Sequence, residues 1–296
     1  MLCAKPKNRY VKLLLSVSVK PVTEWPNISH PLHKNTLMKK LIMICYLLLI
    51  AGTPIYAQTL DNLDKAVFGV GEQLDYKLKY GIFTAAEANL KVEESPQKYD
   101  GKPAYHIIAE GKTAGTFNVF YKVRNRYESF VDKNTLMPYF YTENRKEGSY
   151  KHTDKVTFNH KDGKIKADKG EFEFKGQMFD FVSAYYFARS LDISKIKVGQ
   201  TIDMPYFLED GIHKLSITYM GKEQVKCSMG TFNCLKFNPT IIPGKIFKKN
   251  SKLYLWITDD ANRIPVRAHV EVIVGSLTMD LTGAKGLKYP LNPVKK

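Results

Sequence analysis

The sequence predicts an all-β fold, a single curved antiparallel meander sheet or incomplete β-barrel, with one short helix around residues 180–191. Three observations predict it. Apolar and polar residues alternate with period two along most of the chain. Turn dipeptides fall between the alternating runs at Asp100-Gly101, Asp162-Gly163, Asp210-Gly211 and Gly221-Lys222. Helical spacing stands out in one place, so short turns rather than βαβ crossovers must join the strands.

Taken in order, residues 1–37 carry scattered Pro, little acidity and no sustained period. They are expected to be a mis-called extension ahead of a true start at Met38. Residues 38–57 read as a cleavable signal peptide. Lys39 and Lys40 give a positive start, Leu41 to Ile50 an apolar stretch, and Ala57 the small residue before a cut at Gln58. The apolar stretch is well short of the ~20 residues that span a bilayer. Export to the periplasm or the outer membrane is the expectation, without an integral membrane segment. The chain carries 45 basic and 29 acidic residues, and residues 58–296 carry 37 and 28, so the net charge falls from +16 to +9. A basic exported surface favours an anionic envelope component or lipid as partner, and the compartment disfavours nucleic acid. Oligomeric state is left open.

Residues 58–73 form a lead-in to one domain over 74–282. Leu74, Tyr76, Leu78 and Tyr80 open the alternation. It recurs at Tyr105/Ile107/Ala109, Val156/Phe158, Phe172/Phe174, Leu215/Ile217/Tyr219 and Leu253/Leu255/Ile257, and along the run Val266 to Val274. Within DFVSAYYFARSLD, Phe181, Ala184, Tyr185, Ala188 and Leu191 fall at helical spacing and Asp180 can cap the first turn. Asp259-Asp260-Ala261-Asn262 reads as a loop between two strong strands, and Gly275-Ser276 as a bulge. The Pro-bearing segment 283–296 is expected to fray.

Cys227 and Cys234 are the cysteines left after residue 57. A turn at Gly230-Thr231 would set them opposite each other, although a hydrogen-bonded register holds side chains further apart. A disulfide and two free thiols both stay open. His106, His152, His160, His213 and His269 show no metal-ligand spacing and read as surface residues, and no GxSxG elbow or phosphate loop is present. No catalytic residue, metal or cofactor is assigned. A carboxylate pair is not visible in sequence, so a glycan-acting hydrolase remains the enzymatic alternative. In FNVFYKVRNRYESF, Lys122, Arg124 and Arg126 share one strand face with Glu128, and Tyr127 lies on the other. Lys245, Lys248, Lys249 and Lys252 precede Trp256, a pattern suited to an anionic membrane surface. Arg124, Arg126, Tyr127, Tyr185 and Trp256 are the candidate ligand-binding residues.

The phrases FNVFYKVRNRYESFVDKNTLMPYFY, DFVSAYYFARSLD, GTFNCLKF and LYLWITDDANRIPVRAHVEVIVGSLTMDL resemble, in that order, the domain of unknown function 3108 family of bacterial envelope proteins. That resemblance implies a secreted β-rich fold and supplies no catalytic motif. The expected function is therefore a non-enzymatic scaffold for an apolar or amphiphilic ligand. The remaining alternative to the hydrolase is a structural partner in an envelope assembly.

Overall fold

The computed structural model describes residues 66–209, 211–240 and 251–295. The expected signal peptide, its expected Ala57/Gln58 cut and Lys245, Lys248 and Lys249 lie outside them. Among the described residues the alternating runs become fourteen antiparallel strands in one sheet. Its first arm is β1 (Gln73–Tyr80), β2 (Phe83–Glu94), β3 (Ala104–Thr113), β4 (Val123–Asp132), β5 (Pro138–Glu147), β6 (Tyr150–Asn159), β7 (Lys164–Ala167) and β8 (Gly170–Glu173). Its second arm is β9 (Thr201–Leu208), β10 (Gly211–Cys227), β11 (Gly230–Pro239), β12 (Leu253–Thr258), β13 (Pro265–Glu271) and β14 (Ser276–Lys285). Each arm is a meander, and β1 pairs with β14 to join them, Tyr76 opposite Leu281. The sheet does not close: β8 and β9 are its edges. Both edges are managed. β8 has four residues, β9 carries Pro205, and Phe179 makes a parallel bridge to Tyr206 along β9.

Two helices interrupt the strands, α1 (Phe117–Phe120) and α2 (Phe181–Arg189). Asp180 starts α2. Its carboxylate accepts from Val182 N at 2.8 Å and Ser183 N at 2.9 Å, while the Ser183 hydroxyl accepts from Asp180 N at 3.0 Å, a full capping box. Ser129 of β4 donates to the other carboxylate oxygen at 2.6 Å, which ties the helix start to the sheet. Burial pushes the Asp180 carboxyl up, against the pull of these donors. The helix is apolar on nearly every side: Val182, Ala184, Tyr186 and Phe187 are all buried. Such a helix has no wet face to offer and must be wrapped. The inner residues of β3–β7 and β9–β12 do this, Ile107, Val131, Ile165, Phe207 and Phe237 among them.

Several turns depart from expectation. Asp100-Gly101 turns with φ of 49° and 75°, between the bridged pair Tyr99 and Lys102, as predicted. Gly221-Lys222 is not a turn: β10 runs through it, with Gly221 at φ 112° in a bulge. Gly275, expected in a bulge, instead closes the β13–β14 turn at φ 78°. The β10–β11 turn is Ser228-Met229, so Cys227 faces Gly230 and Cys234 faces Glu223. The cysteines are thus offset by four residues, about 13 Å of strand, beyond disulfide reach. Both are free thiols, and burial pushes Cys234 up to about 12. His106, expected at the surface, is buried against Phe130 with centroids 4.3 Å apart and pairs with Glu128 at 2.9 Å.

Nor does the C-terminal segment fray. Leu287 and Leu291 pack on the core, Val294 N bonds Thr231 O at 2.7 Å, and Asn262 holds the backbone of Tyr289 and Pro290. Gly286 makes this return possible. It sits at φ 63°, and a Cβ there would lie 1.9 Å from Gly71 O. Gly286→Ala is therefore expected to cost about 2–4 kcal/mol and lower the melting temperature by roughly 5–10 °C. A thermal melt within a degree of the parent would refute the close approach.

Candidate functional site

Small residues line up where the sheet should be filling its core. Inner positions of β2 and β3 hold Ala88, Ala109 and Gly111, flanked by Tyr76 and Leu90. Registration puts Ala88 opposite both Tyr76 and Gly111, and Ala109 opposite both Leu90 and Tyr127. Phe181, Val182 and Tyr185 of α2 face this shallow patch, and Leu255, Pro265 and Met279 come from the second arm. Between them is an apolar chamber of about 340 Å³ that opens to solvent. A second apolar chamber, about 140 Å³, lies between Ala188 and Arg189 of α2 and Ile202, Leu215, Ile217, Phe237 and Ile257. Tyr185 and Leu255 line both.

The residues lining the chamber carry three buried polar atoms without a hydrogen-bond partner: the Tyr76 and Tyr185 hydroxyls and Asn89 Oδ1. A buried hydroxyl left unmade costs about 1–3 kcal/mol, so most find a partner. Behind the second chamber, Arg189 is held by Glu72 through Nη1–Oε1 at 2.7 Å and Nη2–Oε2 at 3.0 Å. Nη2 also donates to Asn262 O at 2.9 Å, so the guanidinium anchors α2, while its Nε is buried without a partner.

The five candidate residues do not gather in one place. Tyr127 and Tyr185 line the chamber. Arg124 and Arg126 alternate with Tyr127 and so lie on the opposite, outer face, in a polar groove of about 600 Å³. That groove is no simple cationic stripe. Arg126 pairs with Glu110 and with Glu128 at 2.9 Å, Lys112 pairs with Glu87 at 3.3 Å, and Arg124 Nη2 donates to Asn118 Oδ1 at 2.9 Å. Trp256 is elsewhere again. Its indole N–H donates to Glu223 at 2.7 Å under Lys236, in an outer apolar cluster with Phe232 and Val266. Sequence reading missed Tyr76, Ala88, Ala109, Gly111 and Phe181 as one site. The available signal was small residues at inner positions of successive strands, in TAAEANL and AEGK.

Two carboxylates do meet inside the sheet. Glu143 and Asp154 sit directly opposite each other on β5 and β6, both buried. Glu143 accepts from Tyr141 Oη at 2.8 Å and lies 3.3 Å from His152. Neither acid lines the chambers or the groove. A glycan would have no access between them, so this pair does not supply the cleft that a hydrolase needs.

A family model described as "Protein of unknown function (DUF3108)" matches residues 75–282. No curated protein matches the chain. Among solved structures, a beta-barrel-like protein of domain of unknown function DUF1849 from Brucella abortus is 14% identical at a TM-score of 0.47. A protein with a YmcC-like fold from Bacteroides fragilis is 13% identical at a TM-score of 0.32. Each match covers 74% of this chain and 99% of the other.

Proposed function

The chain belongs to the DUF3108 family of proteins of unknown function, and from that premise we propose that it is an exported, non-enzymatic scaffold whose chamber holds the apolar part of a lipid-like ligand. The chamber beneath α2 is the observation that carries this reading. The chamber opens to solvent and its wall is almost wholly apolar. Water finds few groups to bond there, whereas an apolar chain laid in it would bury that wall at about 25 cal/mol per Å². An apolar chain fills such a space, and the Tyr76 hydroxyl supplies one hydrogen bond to a polar group on it. The signal-peptide pattern supports a location in the periplasm or at the outer membrane. Among the described residues, no helix is long and apolar enough to cross a membrane.

Native mass spectrometry of the purified protein, with solvent extraction of what it carries, tests the reading. The expected result is a lipid-sized adduct released by extraction. Protein that carries no adduct and takes up no added fatty acid or phospholipid would sink it. Tyr76→Phe sharpens the test. Without ligand, removing the unpartnered hydroxyl is expected to raise stability by about 1 kcal/mol. With ligand, affinity is expected to fall about three- to tenfold.

A further inference from the structure

Six large apolar side chains stand in solvent at one end of the sheet, on three turns that are neighbours in it. Ile82 and Phe83 are at the β1–β2 turn, Val119 and Phe120 on the β3–β4 connection, and Ile273 and Val274 on the β13–β14 turn. Their exposures are 89%, 59%, 82%, 87%, 52% and 71%. Single exposed hydrophobics are ordinary, whereas a contiguous group marks an interaction surface. Contiguity follows from the strand order β4-β3-β2-β1-β14-β13, which sets the three tips side by side. Contacts also bind them. Tyr80 donates its hydroxyl to Val274 O at 2.9 Å and packs edge-on against Phe117 at 6.4 Å.

Charge says what they face. Residues 80–83 and 114–122 hold no acid, residues 272–275 hold no charge at all, and Lys79 and Lys122 flank the tips. Among the described residues, Lys122, Lys146, Lys151 and Lys252 are exposed at the same end, and the flanking acids there are Glu147, Glu209 and Glu271. Apolar tips within a lysine-rich collar match an anionic bilayer surface, apolar groups entering the acyl boundary while ammonium groups meet phosphates. Turn tips insert singly between lipids, whereas a rigid protein partner would need a groove for each.

We propose that this three-turn rim docks the protein on anionic lipid membranes. The chamber lies on the same side of the sheet's length, since its walls step from Leu90 and Ala109 through Ala88 and Gly111 toward these turns. The docking surface stands independently of what the chamber holds.

The test is co-sedimentation of protein purified from expressing cells, its N-terminus determined by mass spectrometry, with two kinds of vesicle. One is phosphatidylglycerol with phosphatidylethanolamine and the other phosphatidylcholine alone. Binding is expected on the anionic vesicles, weaker on the neutral ones, and reduced as salt rises. Each pair of substitutions, Ile82→Ser with Phe83→Ser, Val119→Ser with Phe120→Ser, or Ile273→Ser with Val274→Ser, is expected to weaken it about tenfold or more. All six side chains are exposed, so unchanged thermal melts are expected to accompany the loss. A parent protein that ignores both vesicles overturns the proposal. So do three variants that bind like the parent, which would place binding elsewhere on the protein. Loss of self-association in the variants, with no vesicle binding by the parent, would make the rim a contact between copies of this chain and also overturn it. Variants that lose the membrane but still carry a chamber ligand leave the preceding reading intact.

Discussion

Arg189→Met is expected to lower unfolding free energy by about 3–5 kcal/mol, because it strands a buried carboxylate. Arg189 is 2% exposed and Glu72 1%. The guanidinium meets both carboxylate oxygens and donates to Asn262 O at 2.9 Å, and the rings of Phe68 and Tyr186 stack around it. One side chain on α2 thereby ties the lead into β1 to the loop between β12 and β13. Arg263 reinforces the joint by donating to the backbone of Arg189 and Leu191 at the end of α2. Removing the cation leaves the buried Glu72 carboxyl without its partner, and the loss should appear as roughly 10 °C or more in melting temperature. Glu72→Leu combined with Arg189→Met removes both charges and is expected to recover most of that loss, since matched apolar residues often replace a buried pair at little cost. Urea unfolding of the two singles and the double decides it. A single variant within about 1 kcal/mol of the parent, or a double as unstable as Arg189→Met, would contradict this account.

Gly111→Phe is expected to empty the chamber without unfolding the protein. Gly111 sits at an inner position of β3, and a Cβ added there meets nothing within 4 Å. Its backbone is not in the left-handed region, so a side chain brings no strain. A phenyl group grown from that position occupies the space between β1–β3 and α2 that a ligand chain would use. Stability should hold within about 1 kcal/mol or rise, because the ring gains contacts and glycine weakens strands. Ligand recovered by extraction should drop at least tenfold. Full retention of the adduct in a folded variant would place the ligand elsewhere, with the outer groove at Arg124 and Arg126 the next place to look.

Much of this molecule could be read before folding it. Alternation located the strands and assigned their faces, and that is why Arg124 and Tyr127 were correctly put on opposite sides. Asp180 and the spacing after it located α2 within two residues, because a cap and a 3.6-residue period are local properties. Glycine was less legible. At Asp100-Gly101 it made the expected turn, at Gly221 a bulge and at Gly275 a turn, since positive φ serves all of these. The cysteine register depended on turn placement: the turn lies two residues earlier than Gly230-Thr231, and such a shift changes every facing pair.

Sequence alone determined an antiparallel β fold with one capped helix and family membership, because each resides in local pattern and order. Tertiary structure decided the rest. Ala88, Ala109 and Gly111 are unremarkable until registration stacks them beneath Phe181 and Tyr185, where their missing side chains become a chamber. Glu72 and Arg189, 117 residues apart, become one buried pair only when α2 enters the curve of the sheet. Ile82, Val119 and Val274 form a rim only because β1 pairs with β14 and brings the ends of the meander together. A period of two tells a side chain which way to face. What it faces depends on pairing between distant strands, and that is a property of the folded chain.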